Sequence, residues 1–296
     1  MFDHKVTTLL TLISTGSYTK AAERLNLTQP AVSHQIRLLE SEYGIKIFYF
    51  DKKELKLTPE GAILAQYARR ASAIYTNALQ AIDDYHTGLN HLNVGITPTV
   101  GENVLPQVFA TICNENPTMH INIRMSTIQK LYTRLKAYEM DLAVVEGELS
   151  DPELVSTLLD TDYLCLAVAP QHPFATKATV SLQDIQKEKL ILRSRSAGTR
   201  KLFESSLSAR GISLQDLNVI MEVDNVATIK ELVSLNLGIT VIAHSACRDD
   251  VNAGRLCAIP IENSSMVRQI TIVRHKDFSH QAFIGQIQAV YHRLRR

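Results

Sequence analysis

The 296-residue chain has no tryptophan, only four cysteines and almost no net charge, and each shortage removes a class of protein. Cys113, Cys165, Cys247 and Cys257 lie far apart with no C-x-x-C spacing, which excludes a zinc ribbon or a disulfide scaffold and leaves the thiols as small apolar side chains. No stretch reaches the roughly 18 to 20 uninterrupted apolar residues that a membrane span needs. The opening Met1-Phe2-Asp3-His4-Lys5 lacks the apolar core of a signal peptide, so a cytoplasmic protein with no membrane partner is expected. With 31 Lys and Arg against 30 Asp and Glu the formal net charge is +1, so bulk charge neither demands nor excludes nucleic acid and only local placement can decide. G-x-S-x-G, G-x-G-x-x-G, a phosphate-binding P-loop, H-E-x-x-H and H-x-E with C-x-x-C are all missing. No catalytic residue, cofactor or metal ligand is therefore assigned, and an enzyme is not expected. Low-complexity tracts and repeats of roughly 20 to 50 residues are absent too. What remains, 45% hydrophobic and 21% charged residues, is ordinary globular composition, and the length implies about two domains.

The first sixty residues carry the spacing of a helix-turn-helix. Val6, Leu9, Leu10 and Ile13 fall at i, i+3, i+4 and i+7, one stripe of a helix capped by Asp3 and ended by Gly16. Thr19 is placed as the cap of a second helix reaching Leu25. After an Asn26-Leu27 turn, Thr28 caps a third helix, whose first turn tolerates Pro30 because the missing N–H had no intrahelical partner. On that helix Val32, Ile36 and Leu39 face inward, while Gln29, Pro30, Ser33, His34 and Arg37 share the opposite face with Glu40. Short donors and a guanidinium can read base edges or phosphates in a major groove, although a merely solvated face would also be polar. Two short strands over 45–50 and 55–57, around Asp51-Lys52-Lys53-Glu54, form a wing that can rest Lys52, Lys53 and Lys56 on phosphates. Overall charge gives this segment no support. Lys5, Lys20, Arg24, Arg37, Lys46, Lys52, Lys53 and Lys56 oppose Asp3, Glu23, Glu40, Glu42, Asp51, Glu54 and Glu60, eight against seven.

The run Gly16-Ser17-Tyr18-Thr19-Lys20-Ala21-Ala22-Glu23-Arg24-Leu25, then Thr28 to Ile36, Leu39-Glu40, Gly44, Ile47-Phe48 and Leu57-Thr58-Pro59-Glu60-Gly61, resembles the LysR family of bacterial transcription regulators. The resemblance implies a winged helix-turn-helix with Gln29, Pro30, Ser33 and His34 at the major groove and the wing lysines nearby; Thr28 and Arg37 complete the expected DNA-binding set. Two positions depart from the family pattern: Phe50 and His34 stand where it commonly carries Arg, which weakens the expected phosphate contacts.

Thr58 as cap and Pro59 at the first helical position open a segment with no Pro or Gly between Ala62 and Thr87, closed by Gly88. Leu64, Tyr67, Ala71, Ile74, Ala78, Ala81 and Tyr85 alternate three and four apart along it, the seam of a coiled coil. The alternative is packing on its own effector domain. Self-pairing would set two reading heads on half-sites about 34 Å apart or a multiple of it, on an inverted-repeat operator in double-stranded DNA. The resemblance implies a dimer through this helix that pairs again into a homotetramer, with RNA polymerase as a further partner.

From residue 92 strands alternate with helices: strands over 92–96, 119–125 and 142–145 with helices over 104–113 and 128–137. A second set has strands over 163–169, 190–192, 219–223 and 239–242 with helices over 199–210 and 227–235. A last strand over 269–273 and a helix over 279–293 return to the first set. Two parallel-sheet lobes joined by two crossings are expected. The fold class is thus α/β: a winged helix-turn-helix over 1–58, a linker helix over 59–88 and an effector domain over 92–296. Lobe I comprises 92–161 and 268–296, and lobe II comprises 162–267.

Such lobes leave a cleft where strand C-termini and helix N-termini meet, the usual ligand position in α/β sheets. Thr97, Thr99 and Val100 follow the first strand, Ser126 and Thr127 the second, and Arg193, Ser194, Ser196 and Thr199 lie at the start of a helix in the second lobe. Asn225 adds a polar contact. Glu146 would repel an anion unless an Arg or water stands between. Taken singly each hydroxyl reads as a helix cap; converging on one cleft they favour a small anionic effector, an organic acid or inorganic oxyanion. Leu105-Pro106, Asp141-Leu142-Ala143 and Val233-Ser234-Leu235-Asn236-Leu237-Gly238-Ile239 extend the resemblance, which implies a periplasmic-binding-protein-like effector domain. The alternative function is a solute-binding protein or transport component using the same cleft, which the first sixty residues oppose.

Overall fold

The computed structural model describes residues 3–295 apart from 103, 148, 149, 265 and 279. The chain divides into two compact units, one of residues 1–91 with the short stretch Lys136–Glu139, the other of the remainder.

In the first unit, α1 (His4–Thr15) starts on Asp3, whose carboxylate accepts the Lys5 N–H at 2.8 Å, and stops at Gly16, with φ of 62°. Helix α2 (Tyr18–Leu25) is capped by Ser17, not Thr19: the Ser17 hydroxyl accepts the Lys20 N–H, which leaves Thr19 exposed in the first turn. Asn26 closes α2 in a left-handed conformation, and Thr28 caps α3 (Gln29–Tyr43) by accepting the Ala31 N–H. The core joins Leu9, Leu12, Ala21, Val32, Ile36, Leu39 and Ile47, with Val6, Leu10 and Ile13 packed at its edge. Leu12 rather than Val6 therefore completes the buried stripe of α1.

The wing is an antiparallel hairpin, β1 (Phe48–Asp51) on β2 (Glu54–Leu57), with Phe48 opposite Leu57. It begins three residues later than the sequence predicts, because the backbone of 45–47 is used elsewhere. The Ile47 N–H donates to Glu40 Oε1 at 2.9 Å and the Ile47 carbonyl accepts the Thr58 N–H at 3.0 Å. Glu40 thus ties α3 to the wing instead of joining the polar face. Helix α4 (Pro59–Thr87) runs from the Thr58 cap to left-handed Gly88, as its sequence predicts. Its first turns bury Gly61, Ala65 and Ala68, and a Cβ on Gly61 would stand 2.2 Å from the Ile47 carbonyl oxygen, so only glycine allows this approach. Tyr67, Ile74 and Tyr85 of the expected seam are exposed, as are Ile63, Leu79 and Ile82.

The second unit contains, in order, β3 (Asn90–Ile96), α5 (Pro98–Gly101), α6 (Leu105–Glu115), β4 (Met119–Met125), α7 (Ile128–Lys136), β5 (Leu142–Glu146) and β6 (Leu154–Val168). A 3-10 turn at Pro173–Thr176 leads to α8 (Leu182–Gln186), β7 (Leu190–Arg193), α9 (Gly198–Ser208) and a second 3-10 turn at Leu214–Asp216. Then come β8 (Val219–Val223), α10 (Val226–Ser234), β9 (Thr240–Ala243), α11 (His244–Asn252), β10 (Cys257–Ile259), β11 (Val267–His275) and α12 (Gln281–Arg295). Ser279, the expected start of α12, lies outside the described residues.

Two large apolar cores result, together with a smaller cluster of Leu131, Tyr132, Leu135, Met140, Ala143, Val145 and Val273. Val94, Ile96, Phe109, Val144, Ile272 and Tyr291 belong to one, and Leu166, Ile191, Phe203, Ile229 and Val241 to the other. Fifteen-residue β6 serves both: Leu154–Tyr163 pairs with β11, and Leu164–Val168 pairs with β9 and β10. Those pairings, like that of β11 with β5, are antiparallel, which corrects the expectation of parallel lobes; β3 with β5 and β7 with β8 are the parallel pairs described. The reason is connectivity. β6 carries the chain out of the first core and β11 brings it back alongside, so these neighbouring strands must run in opposite directions.

Candidate nucleic-acid interface and ligand cavity

Capped at Thr28 and held by Val32, Ile36 and Leu39, α3 presents its other face outward. Thr28, Gln29, Pro30, His34 and Arg37 are exposed and Ser33 is half-buried. Arg37 Nε lies 3.4 Å from the Ser33 carbonyl, folded back along its own helix. At the wing tip Lys52 and Lys53 take φ of 47° and 72°, two successive left-handed residues, as a two-residue hairpin loop requires. Both are exposed. Lys56 differs: its ammonium sits 2.5 Å from Asp51 and 3.9 Å from Glu54. Phe50 is 69% exposed on the same hairpin.

In the second unit a cavity of about 290 Å³ gathers Thr97, Thr99, Ser126, Thr127, Glu146, Arg193, Ser194 and Ser196, all expected from the sequence. Each sits where its local sequence stops an element: Thr97 before Pro98 of α5, Ser126 and Thr127 between β4 and α7, Glu146 at the end of β5, and Arg193 at the end of β7. Three expected residues do not line it. Val100 and Thr199 are each about 2% exposed, Val100 within an apolar core, and Asn225 spends its Oδ1 on capping α10 through the Thr228 N–H at 2.9 Å. Sequence reasoning missed Pro98, Ile128, Ala197, Gly198 and Asp224 as lining residues. Ala197, the N-cap of α9, makes no side-chain cap, so small residues leave the backbone of that helix start open to the cavity.

Behind the lining lies a buried ionic network. Thr97 donates its hydroxyl to Glu146 Oε2, and Arg268 reaches Glu146 Oε1 at 3.6 Å, the Thr199 hydroxyl at 3.2 Å and Asp162 at 3.5 Å. Asp162 also accepts the Ser245 N–H at 3.1 Å and hydroxyl at 2.8 Å. The Arg that Glu146 needs is therefore Arg268, one residue outside the strand that the sequence predicts over 269–273. Arg193 is 6% exposed; it donates to Thr99 at 3.5 Å, and its Nε has no hydrogen-bond partner among the described residues. Desolvation pulls the Arg193 pKa below its ordinary value, and the charges of Glu146 and Asp224 oppose that pull. Among the described residues no helix is long and apolar enough to cross a membrane.

Comparison with known proteins gives the frame for both sites. The family model described as bacterial regulatory helix-turn-helix protein, lysR family, matches residues 4–62, and that described as LysR substrate binding domain matches 88–292. An uncharacterised HTH-type transcriptional regulator of Methanocaldococcus jannaschii is 30% identical over 272 residues, 91% of each chain. Full-length CbnR, solved in complex with its target DNA, superposes with a TM-score of 0.68 at 17% identity, covering 98% of both chains. The regulatory domain of Synechocystis PCC6803 CcmR, solved in complex with 2-PG, gives 0.60 at 18% identity over 68% of this chain and 96% of that one. With helix-turn-helix and effector domain both matched in order, the chain belongs to the LysR family of DNA-binding transcriptional regulators.

Proposed function

We propose that this regulator reads an inverted-repeat operator in double-stranded DNA through Thr28, Gln29, Pro30, Ser33, His34 and Arg37, with Lys52, Lys53 and Lys56 on flanking phosphates. The single observation that carries the reading is the outward face of α3, polar from Gln29 to Arg37 and rigidly seated on Val32, Ile36 and Leu39. Residues 1–58 are the reading head, 59–88 the dimerisation helix and 92–296 the effector domain. The exposed apolar residues of α4, Tyr67, Ile74 and Tyr85 among them, favour self-pairing, and a second pairing makes a homotetramer. A small anionic effector, an organic acid or inorganic oxyanion, binds the cavity lined by Thr97, Thr99, Ser126, Thr127, Glu146, Arg193, Ser194 and Ser196. Thr199 backs that cavity through its hydroxyl contacts to Thr99 and Arg268, while Val100 packs in the core and Asn225 caps α10. The likeness to the CcmR domain solved with 2-PG supports this reading.

Binding that favours one arrangement of the lobes shifts the population of DNA-bound states, and RNA polymerase receives the result in the cytoplasm. The protein acts by binding, with no catalytic residue and no cofactor. Footprinting tests the reading head: Gln29→Ala or Ser33→Ala relaxes discrimination at particular base pairs. Unchanged base preference in both variants overturns the assignment.

A further inference from the structure

The charges around the cavity are mixed, and that mixture narrows the ligand. Arg193 is the cation in its lining, 94% buried by its 6% exposure, with an Nε that no described residue satisfies. Beside it are two carboxylates, Glu146 in the lining and Asp224 exposed at the rim. A Cβ on Gly198 would stand 3.9 Å from Glu146 Oε1, so a resident carboxylate already lies near the start of α9. Arg268 offsets Glu146 from behind at 3.6 Å but divides its charge with Asp162. An oxyanion with no positive group would meet one buried guanidinium and two carboxylates. A simple amine would add a second positive charge beside Arg193 and leave its Nε without an acceptor. A molecule carrying both signs answers each of these groups at once.

We propose that the effector is a compact zwitterion of the α-amino acid class, its carboxylate held by Arg193 and the backbone N–H groups opening α9, its ammonium by Glu146 and Asp224. This rests on the cavity being the effector site. The small side chains of Ala197 and Gly198 let the ligand carboxylate approach the helix start, and Thr97, Thr99 and Ser126 supply hydroxyls for the remaining lone pairs and protons. A cavity of about 290 Å³ suits a free amino acid rather than a peptide or nucleotide.

Titration calorimetry on the full chain decides it, using the twenty free amino acids, their N-acetyl and deamino counterparts, sulfate and phosphate. At least one free amino acid binds, and its N-acetyl and deamino counterparts bind at least tenfold more weakly. Asp224→Asn, an exposed substitution that leaves the core intact, weakens the amino acid about tenfold and leaves its deamino counterpart unweakened. If a deamino acid, sulfate or phosphate binds as tightly as any amino acid and Arg193→Lys weakens it, the zwitterion is wrong while the anionic effector site stands. If an amino acid binds but neither Arg193→Lys nor Asp224→Asn changes its affinity, the cavity is not the effector site and both readings fall. Failure of the whole panel to bind overturns the zwitterion as well.

Discussion

Lys52 and Lys56 carry the same charge on the same hairpin, but their surroundings differ, so on the proposed phosphate contacts they are expected to weigh differently in DNA binding. Lys52 stands exposed at the turn, whereas the Lys56 ammonium is 2.5 Å from Asp51 and 3.9 Å from Glu54. Each phosphate neutralised adds about 0.9 to the slope of log K against log salt on duplex DNA. Lys52→Ala, acting in both wings of a dimer, therefore lowers that slope by about 1.8, and a rise from about 50 to about 200 mM salt costs the variant about twelvefold less affinity than the parent. Alanine keeps a Cβ at the left-handed position, so the backbone cost at φ of 47° is common to both proteins. Lys56→Ala changes the slope by less, because its charge is already shared. Asp51→Asn steepens it by releasing Lys56. Fluorescence anisotropy on one labelled operator duplex across that salt range measures all three. Equal slopes for the parent and Lys52→Ala would refute the phosphate contact, and a larger effect of Lys56→Ala than of Lys52→Ala would refute the weighting.

Two further outcomes follow from packing and ionisation. Gly61→Ala forces a Cβ to within 2.2 Å of the Ile47 carbonyl oxygen; it destabilises the first unit by about 1–3 kcal/mol, read as an earlier thermal transition for the DNA-binding unit, and an unchanged transition refutes the close approach. Lys230 lies 3.1 Å from Glu102 and 3.0 Å from Asp250, joining α10 to the segment after α5 and to α11. Burial would raise the Asp250 carboxyl, but hydrogen bonds from Lys230 and Arg255 outweigh it and hold the pKa below 3.8, so its stabilisation is complete above that pH and is lost as pH falls through the depressed value. Asp250→Asn accordingly shows a shallower loss of stability than the parent in urea melts between about pH 5 and pH 2. Parallel acid profiles would count against the triad.

Much of the first unit is legible in sequence because its signals are local. Asp3, Thr28 and Thr58 cap helices from one to three residues away, Gly16, Gly44 and Gly88 end them, and the stripe Val32, Ile36, Leu39 repeats at helical spacing. The departures are of short range too: Ser17 and Thr19 are both good caps, and it is Ser17, in extended backbone, whose hydroxyl accepts the Lys20 N–H. The strand expected from residue 45 failed because Glu40 and Thr58, seven and eleven residues from Ile47, take its backbone groups.

The cavity divides in the same way. Thr97, Ser126, Arg193 and Ser196 could be placed from the sequence because strand ends and helix starts in an α/β sheet converge on one edge. The sign of the site could not. Arg268 and Asp162 lie 106 residues apart and meet only because β6 and β11 run antiparallel side by side; Glu146 reaches Arg268 because β11 also pairs with β5. Periodicity and capping act over a turn of helix or a few residues of strand, so the sequence alone determined which elements form and which residues end them. Pairing of buried charges depends on strand neighbours set by the whole chain path, and that only the tertiary structure decided.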